Sequence, residues 1–511
     1  MMKTKKGLTL GILVMVVFSL ILSACGSNNN SSSSNKVGEK AVDEIVFAMP
    51  TFNAIPEDLS KVTEAINAIT VDKIGVKVDF KLYGPADYAQ KVNLALQSGD
   101  KMDVFTTLGQ FTNYVSKNQL YPIEDLLAEH GKELIEIVEK DFGPDFLKAT
   151  TIGGHTYGVP VNKGMSLPIS FVYNADMLKE IGKTSDDITS IEDLPAIFEA
   201  IKQKFPDVVP FGPINVNPSD TGLINYIKGT SKIDFLTDTS GIGVVVDGDG
   251  QVVNLYETDA FIDGVKMMNA WFNNGYLQKD AATTTITSTE LMASDRLFSY
   301  MGGYGGMEAA SSISAQTGKN IEMKRIAPFY FDTNAVNSVS WLVSSTTKVP
   351  EAAVKFLNLL YTDQQLINTI LYGIEGEDFI KVDEHHVKFP DGKNANTVSY
   401  TAMLSTGIVG SESIQYQFEG INWSDVELKL KENKETERSP YFGFIFDPSP
   451  VKTQISAVTN VVNQYLPGLV TGALDPETII PKFVQALKDA GAEAIIQSKQ
   501  DQLNAWIAEQ Q

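Results

Sequence analysis

Apolar and polar positions follow two periods along the chain, and each period predicts a different kind of element. The segment 44–50, with an apolar run at 45–49, and the alternating positions at 76–82 predict strands, and the segment 102–108 predicts a third. Apolar residues spaced three and four apart predict helices at 57–70 and 86–97. Strands that alternate with helices at this spacing indicate a parallel sheet with helices on its faces, so the predicted fold class is α/β.

The same periods continue through the rest of the chain. A strand is predicted at 170–173, and hairpins are predicted in the Gly-, Asp- and Glu-rich segment 370–400 and around a turn at 247–250. Further helices are predicted at 175–181, 191–204, 261–273, 348–360, 451–466 and 477–490. A Pro-Gly pair separates the last two helices.

The first 24 residues form a pattern of their own. Three lysines precede an uncharged apolar run at 8–22, which is shorter than the ~20 residues of a comfortable transmembrane helix. This layout is typical of an export signal peptide. The four residues that end at Cys25 resemble a bacterial lipobox, and the resemblance implies cleavage after Ala24 and attachment of diacylglycerol to the Cys25 sulfur. The alternative is an ordinary signal peptide with an incidental cysteine.

Residues 25–41 are rich in Ser, Asn and Gly and hold almost no apolar residue. Such a segment cannot bury a core, so it is expected to be a flexible tether. Two or more acyl chains hold a protein on a bilayer, since burial contributes about 0.8 kcal/mol per CH₂. The expected location is therefore the outer face of the cytoplasmic membrane, with the lipid on Cys25 as the anchor.

The composition narrows the possible partners. Loss of residues 1–24 takes the formal charge from −22 to −25, because this segment holds three lysines and no acidic residue. So acidic a chain argues against nucleic acid as a ligand. Since Cys25 is the only cysteine among 511 residues, an intramolecular disulfide is excluded, and the chain must rely on a large core.

Short motifs occur in order at 100–105, 109, 121–127, 154–160, 171–178, 340–344 and 349–357. Taken together, they resemble the family 1 extracellular solute-binding proteins of ABC importers. Three more stretches resemble the C-terminal part of a lipoprotein subgroup of low-GC Gram-positive bacteria, a part with no assigned function. They lie at 372–376, 443–450 and 471–476.

The resemblance implies two α/β lobes joined by a hinge, in a type II-like periplasmic-binding-protein fold with a cleft between the lobes. The first lobe is expected to hold 42–158 and about 340–395. The second is expected to hold 159–339 and about 396–511. The chain is expected to cross between the lobes near 157–160 and again near 340–344.

The resemblance also implies a function. Such a protein captures a solute, in this family most often a mono- or oligosaccharide, by closure of the lobes, and delivers it to ABC permease subunits. An oligosaccharide is the expected ligand here, with no cofactor, no nucleic acid and a monomeric chain.

A sugar cleft needs aromatic faces and planar polar groups, which directs attention to particular residues. Trp341 is the first candidate platform because it lies at the expected second crossover, although a packing role is the alternative. Tyr304 lies within the glycine-rich segment 302–306 and is the next candidate. The alternative is that this segment is a plain turn before a helix. Asp103 could accept hydrogen bonds from sugar hydroxyls or cap a helix. The other candidates are Tyr83, Tyr173, Asn162, Lys163 and Trp423.

Other kinds of site and function are weighed against this interpretation. The adjacent His385 and His386 could suggest a metal site, but neighbours on a strand point to opposite faces, so an exposed hairpin is favoured. Asp247 could open a calcium loop, but a hairpin turn fits better because Val252 stands where the sharp-turn glycine belongs. A ligand-sensing or adhesive surface lipoprotein remains an alternative. An exported glycoside-active enzyme is less favoured, because no nucleophile-elbow or zinc-protease motif is present.

Overall fold

The computed structural model describes residues 42–212, 222–306, 308–401 and 407–510. The expected signal peptide, the tether and Cys25 lie outside them. The described strands are β1 (Asp43–Pro50), β2 (Val76–Tyr83), β3 (Val104–Thr106), β4 (Thr151–Ile152), β5 (His155–Thr156), β6 (Gly158–Pro160), β7 (Ile169–Asn174), β8 (Val209–Gly212), β9 (Ile233–Asp234), β10 (Ile242–Val246), β11 (Val253–Asn254), β12 (Leu297–Gly303), β13 (Ile321–Ala327), β14 (Ser340–Val343), β15 (Ile380–Lys381), β16 (His386–Lys388) and β17 (Gln417–Phe418).

The helices of the same residues follow the predicted 3.6-residue period. They are α1 (Ser60–Ile74), α2 (Pro85–Ser98), α3 (Phe111–Ser116), α4 (Glu124–His130), α5 (Lys132–Phe142), α6 (Ala175–Glu180), α7 (Leu194–Lys204), α8 (Gly222–Thr230), α9 (Asp259–Asn273), α10 (Ser288–Ala293), α11 (Glu308–Thr317), α12 (Thr333–Asn337), α13 (Pro350–Thr362), α14 (Gln364–Tyr372), α15 (Trp423–Glu435), α16 (Lys452–Val470), α17 (Pro476–Asp489) and α18 (Ala492–Glu509). None of these described helices is both long enough and apolar enough to cross a membrane.

The first sheet has the described strand order β2-β1-β3-β14-β6. β1 runs parallel to β2 and β3, whereas β14 runs antiparallel to β3 and β6. β1 is buried along its apolar run, because helices cover both faces of an inner strand. β2 lies at the edge and alternates between buried and exposed side chains, as its sequence pattern predicts. This sheet and the helices packed on it form the first lobe.

The second sheet has the order β13-β7-β12-β8 within the described residues. β12 runs parallel to β8 and antiparallel to β7, and β13 pairs with β7 in the antiparallel sense. The core around this sheet also contains apolar residues of α7, α9 and the C-terminal helices α16–α18. This sheet and its core form the second lobe. Each lobe thus has a mixed sheet with helices packed on it, which is the α/β fold that the resemblance predicts.

The described chain passes between the lobes along three neighbouring segments, here called the first crossing (166–168), the second crossing (328–330) and the third crossing (437–441). The second and third pair through Phe331, whose N–H donates to the Glu437 carbonyl at 3.0 Å and whose carbonyl accepts from the Ser439 N–H at 2.8 Å. The Ser166 hydroxyl lies 2.7 Å from the Thr436 hydroxyl. The crossings are therefore bonded side by side and form one hinge.

The crossover positions expected from the sequence are wrong. The segment 157–160 contains β6, and 340–344 contains β14, and both strands lie inside the first sheet. The chain leaves that sheet only after β6, and it has already returned to the first lobe when β14 begins.

The expected lobe boundary near residue 396 is wrong for a similar reason. Tyr400, Ile408 and Val409 lie in the core of the first lobe, and β17 pairs with β16. α15 packs against α5 of the same lobe. The chain joins the second lobe only at the third crossing, and apolar residues from Tyr441 to Leu503 then contribute to the second core.

The two predicted hairpins are present, since β10 pairs with β11 and β15 with β16 in the antiparallel sense. The predicted helix end at the Pro-Gly pair is wrong, because α16 continues through Pro467 to Val470. The helix ends one turn later, where the N–H and the hydroxyl of Thr471 both donate to the Pro467 carbonyl and cap the last turn.

Candidate functional site

The two sheets present corresponding edges to the hinge. In the second sheet, Ile169 at the start of β7 pairs with Gly303 at the end of β12 and with Ala327 at the end of β13. In the first sheet, the end of β6 leads into the first crossing, and β14 begins after the second crossing. Ligands of open α/β sheets bind outside the carboxyl ends of the strands. The space beside the crossings is therefore the candidate site.

A large cavity of about 1010 Å³ occupies this space. It is lined by Lys163 and Gly164 just before the first crossing, and by residues of the segment 412–425 in the first lobe. On the opposite side it is lined by Ser311 and Ala315 of α11, which packs on the sheet of the second lobe. Both lobes therefore contribute to its wall, so rotation about the hinge would change its size.

The wall of the large cavity offers unused polar groups. The side chains of Gln417, Asn422, Asp425 and Ser311 have no hydrogen-bond partner among the described residues. An amide both donates and accepts, a carboxylate accepts, and a hydroxyl does both. Phe418 adds an aromatic ring to the same wall. This combination of polar groups and ring surface suits a ligand with many hydroxyl groups.

An ion pair fixes the hinge side of the large cavity. Lys429 Nζ lies 2.9 Å from Glu412 Oε1, and the other oxygen of Glu412 accepts a hydrogen bond from the Gly164 N–H at 3.0 Å. Burial lowers the pKa of Lys163, an effect that the Glu412 charge opposes and the Lys429 charge reinforces. Because Glu412 is already paired with Lys429, the Lys163 ammonium makes no ion pair within the described residues.

A smaller cavity of about 240 Å³ is lined in part by residues of the first and second crossings. Leu167, Tyr304, Lys228 and Phe329 contribute to its wall. Tyr304 shares a hydrogen bond of 3.0 Å with the Tyr300 hydroxyl, and burial raises the pKa of Tyr304, so its hydroxyl stays neutral. The Lys228 ammonium lies 5.6 Å from the centre of the Phe329 ring.

The structure places Trp341 in the core of the first lobe. Its side chain is 0% exposed, and its ring centroid lies 4.9 Å from that of Phe47. A side chain with no exposed surface offers no face to a ligand in the cleft. The expectation that Trp341 is a ligand platform is therefore wrong.

Three other candidates are also structural. Asp103 accepts hydrogen bonds from the Val46 N–H and the Thr347 hydroxyl, so it joins β1 to the loop that follows β14 within the first lobe. Tyr173 is buried within β7, and its hydroxyl donates to Glu322 at 2.9 Å. Asn162 is buried and donates to Asp141 and Ser411, which excludes it from the cavity wall.

The remaining candidates lie at or near the cleft. Lys163 lines the large cavity and Tyr304 the small one, so the two residues do not share a cavity. Tyr83 is half-buried at the carboxyl end of β2, beside the ring of Tyr88. Trp423 follows the cavity residue Asn422 and stacks on His385 at 4.0 Å between centroids.

Sequence reasoning missed most of the cavity wall. Gln417, Phe418 and Asp425 lie about 250 residues after Lys163, and no local pattern connects the two segments. Phe52 carries a clearer signal, since it lies two residues after the buried strand β1 and is 60% exposed at the carboxyl edge of the first sheet. A large apolar residue just after a buried strand of an α/β protein is a reasonable ligand contact.

Within the described residues, no cluster of three or more His, Cys, Asp or Glu side chains is arranged to hold a metal ion. His386 bonds to Asp383 and to the Ile421 carbonyl, and His385 is stacked on Trp423. Both histidines thus have roles within the β15–β16 hairpin and its neighbours.

Solved structures of related proteins have the same fold. The N-glycan transport solute binding protein (NgtS) of Streptococcus pneumoniae is 27% identical with a TM-score of 0.77, covering 92% of this chain and 100% of that one. Its complex with Man5GlcNAc is 28% identical with a TM-score of 0.66, covering 92% and 99%.

Sequence comparison identifies relatives over almost the whole length. A carbohydrate ABC transporter substrate-binding protein of Streptococcus pneumoniae serotype 4 is 29% identical over 495 residues, which is 95% of each chain. Residues 440–508 match a domain of unknown function, and residues 64–373 match the model of the bacterial extracellular solute-binding proteins. Because that second match covers more than half of the chain, this protein belongs to the family of bacterial extracellular solute-binding proteins.

Proposed function

We propose that this protein captures an oligosaccharide between its two lobes and delivers it to the permease of an ABC importer. The observation that carries the proposal is the cavity of about 1010 Å³ whose wall is shared by α11 of the second lobe and the segment 412–425 of the first. A ligand that contacts both lobes is held most tightly when they close, and the closed form is then recognisable to a membrane partner.

The wall chemistry supports a carbohydrate. Gln417, Asn422, Asp425 and Ser311 supply amide, carboxylate and hydroxyl groups without partners among the described residues, and Phe418 supplies a ring for C–H surface. Relatives named for carbohydrate and N-glycan transport support the same class. Oligosaccharides built from mannose and N-acetylglucosamine are therefore the first ligands to test.

The test uses the processed chain (residues 25–511) with Cys25→Ser, measured by thermal unfolding against neutral oligosaccharides, amino acids, peptides and divalent metals. A ligand at 100 times its Kd adds about 2.7 kcal/mol of stability, so its melting temperature rises visibly. A rise with one oligosaccharide class alone is the expected result. A response confined to peptides or metals contradicts the proposal.

A variant pair then locates the site. Lys163→Met removes a cavity ammonium, and the loss of a hydrogen bond from a charged group is expected to weaken binding by about 1.5–3 kcal/mol in calorimetry. Lys132→Met is the matched control, because Lys132 is exposed on α5 and lines neither described cavity. Equal affinities of the two variants would remove Lys163 from the site. Recovery of the bound sugar unchanged by chromatography is expected of a binding protein, and its hydrolysis would contradict this function.

We also propose that Cys25 anchors the protein to the membrane through lipid. The supporting observation is the lipobox-like sequence, followed by a Ser- and Asn-rich segment that ends where β1 begins. Metabolic labelling with a fatty-acid analogue should mark the wild-type protein and not Cys25→Ser. Equal labelling of both would contradict the anchor.

A further inference from the structure

Two carboxylates from different lobes are buried beside the hinge. Asp234 ends β9 in the second lobe, and Asp332 follows the second crossing and caps α12 through the Ala335 N–H at 3.0 Å. The two residues are 2% and 1% exposed. Asp234 Oδ1 accepts from the Leu236 N–H, and its Oδ2 has no hydrogen-bond partner among the described residues. A buried ionised carboxylate needs compensation that this surrounding supplies only in part.

The two carboxylates do not have equal access to the nearby lysines, because each lysine lies closest to a carboxylate other than Asp234. Lys228 Nζ, on α8, lies 2.8 Å from Asp332 Oδ2 and reaches Asp234 only through its longer-range charge. Lys499, on α18, also acts on Asp234 at longer range, but its ammonium lies 3.1 Å from Asp238. Both cations are thus already paired with other carboxylates.

Hydroxyl groups complete the surroundings of Asp234. Tyr330 on the second crossing and Tyr441 on the third face it, and burial raises the pKa of each, so both stay neutral. Ser439 on the third crossing favours the ionised form of Asp234. The neighbours of Asp234 that lie on or next to the crossings are therefore either negatively charged, as Asp332 is, or neutral, as these hydroxyl groups are.

We propose that the hinge is a proton-linked switch, in which Asp234 takes up a proton in the lobe arrangement of this structure and releases it when the lobes rotate relative to each other. Rotation about the crossings moves Asp234, on the second lobe, away from Asp332, at the start of the first. Separation relieves the repulsion between the carboxylates and admits water to Asp234.

The sign of the effect follows from the surroundings. Burial, and then the charge of Asp332, raise the pKa of Asp234 from its ordinary 3.8 to about 6. A raised carboxyl pKa stabilises this arrangement at acidic pH, and the stabilisation is lost as the pH rises through about 6. Acidic conditions therefore favour the arrangement of the structure, and neutral conditions favour its rotation.

The switch is also linked to the cleft. Both lobes line the large cavity, so the rotation that separates Asp234 from Asp332 also changes the site of the proposed ligand. This link rests on the proposed function, whereas the pH dependence of the lobe arrangement does not. With one linked proton, ligand affinity changes by up to about tenfold per pH unit between the ordinary pKa of 3.8 and about 6.

The test measures an interlobe distance without ligand. The processed chain with Cys25→Ser holds no other cysteine, so Lys132→Cys on α5 and Lys482→Cys on α17 place one spin label on each lobe at exposed positions. The label distance is expected to change between pH 4 and pH 7.5, with a midpoint between the ordinary carboxyl pKa of 3.8 and about 6. Asp234→Asn, which stays neutral, should keep the acidic distance throughout, and Ser439→Ala should raise the midpoint.

A distance that does not depend on pH in the parent chain would overturn the proposal, as would an unaltered dependence in Asp234→Asn. If Asp234→Asn does not fold, the midpoint of Ser439→Ala decides alone, and an unchanged midpoint counts against the switch. Because no ligand is used, failure here is distinguishable from failure of oligosaccharide binding.

Discussion

Replacing Lys499 with methionine tests whether the contact between the C-terminal helix α18 and the second lobe stabilises that lobe. Lys499 lies on α18 and is 0% exposed. Its ammonium donates to the carbonyls of Ile242 at 2.7 Å and Gly243 at 2.8 Å on β10, and it lies 3.1 Å from Asp238. The substitution keeps the length of the side chain and removes all of these bonds.

The expected loss of stability is about 3 kcal/mol. Removing one partner of a buried ion pair destabilises a protein by about 3–5 kcal/mol, because the other charge is left uncompensated. The lower end applies here, since Asp238 is partly accessible to water and keeps its bonds from the Ser240 N–H and hydroxyl. Burial lowers the pKa of Lys499, and the Asp238 charge opposes that shift. The cost of desolvating the ammonium therefore already offsets part of the stabilisation that the ion pair contributes.

Urea unfolding followed by tryptophan fluorescence is the assay. Trp271 lies in the second core, and Trp506 lies on α18 against Phe444, so both report on this lobe. With an m value of about 3 kcal/mol/M, the midpoint is expected to fall by about 1 M. The double variant Lys499→Met with Asp238→Asn should recover part of the loss, because no unpaired charge remains.

Lys488→Met is the matched control. Lys488 lies on α17 and pairs with Glu257 at the surface, where an ion pair contributes about 0–1 kcal/mol. If Lys499→Met lowers the midpoint no more than Lys488→Met does, the buried lysine does not hold α18 to the second lobe, and the reasoning is refuted.

Two further predictions concern the first lobe. Trp341→Ala should lower the free energy of unfolding by about 3–5 kcal/mol in urea, since it empties a core site, while calorimetry of the folded fraction should show unchanged ligand affinity. Trp341→Phe, which keeps a ring against Phe47, should lose much less, and weakened binding by either variant would return Trp341 to the site. His386 bonds to Asp383 and donates to the Ile421 carbonyl. Burial of the imidazole lowers its pKa, but these two hydrogen bonds have the larger combined effect and raise the pKa above 6.5. The charged form of His386 therefore stabilises the fold fully below pH 6.5, and this contribution is lost as the pH rises through the raised pKa. Urea midpoints of the parent chain should fall over that pH range. An equal fall in His386→Gln would contradict this role.

The local pattern of the sequence determined the elements and their class. β1 lies in the unbroken apolar run, β2 in the alternating run, and α1 and α2 in the segments with helical spacing. These predictions succeed because the period of a helix or strand is a property of neighbouring residues. The resemblance of short motifs added the two-lobed arrangement, which the structure also has.

The tertiary structure alone decided which residues face the cleft. Trp341 and Lys163 both lie near segments that the resemblance assigned to crossovers, yet the first is enclosed by an inner strand and the second lines the cavity. The wall opposite Lys163 comes from α11 and from 412–425, which local periodicity cannot place together. The pairing of Asp234 with Asp332 likewise exists only at the hinge. Burial and electrostatic environment depend on contacts between distant segments, and a one-dimensional pattern carries the period of each segment but not its neighbours.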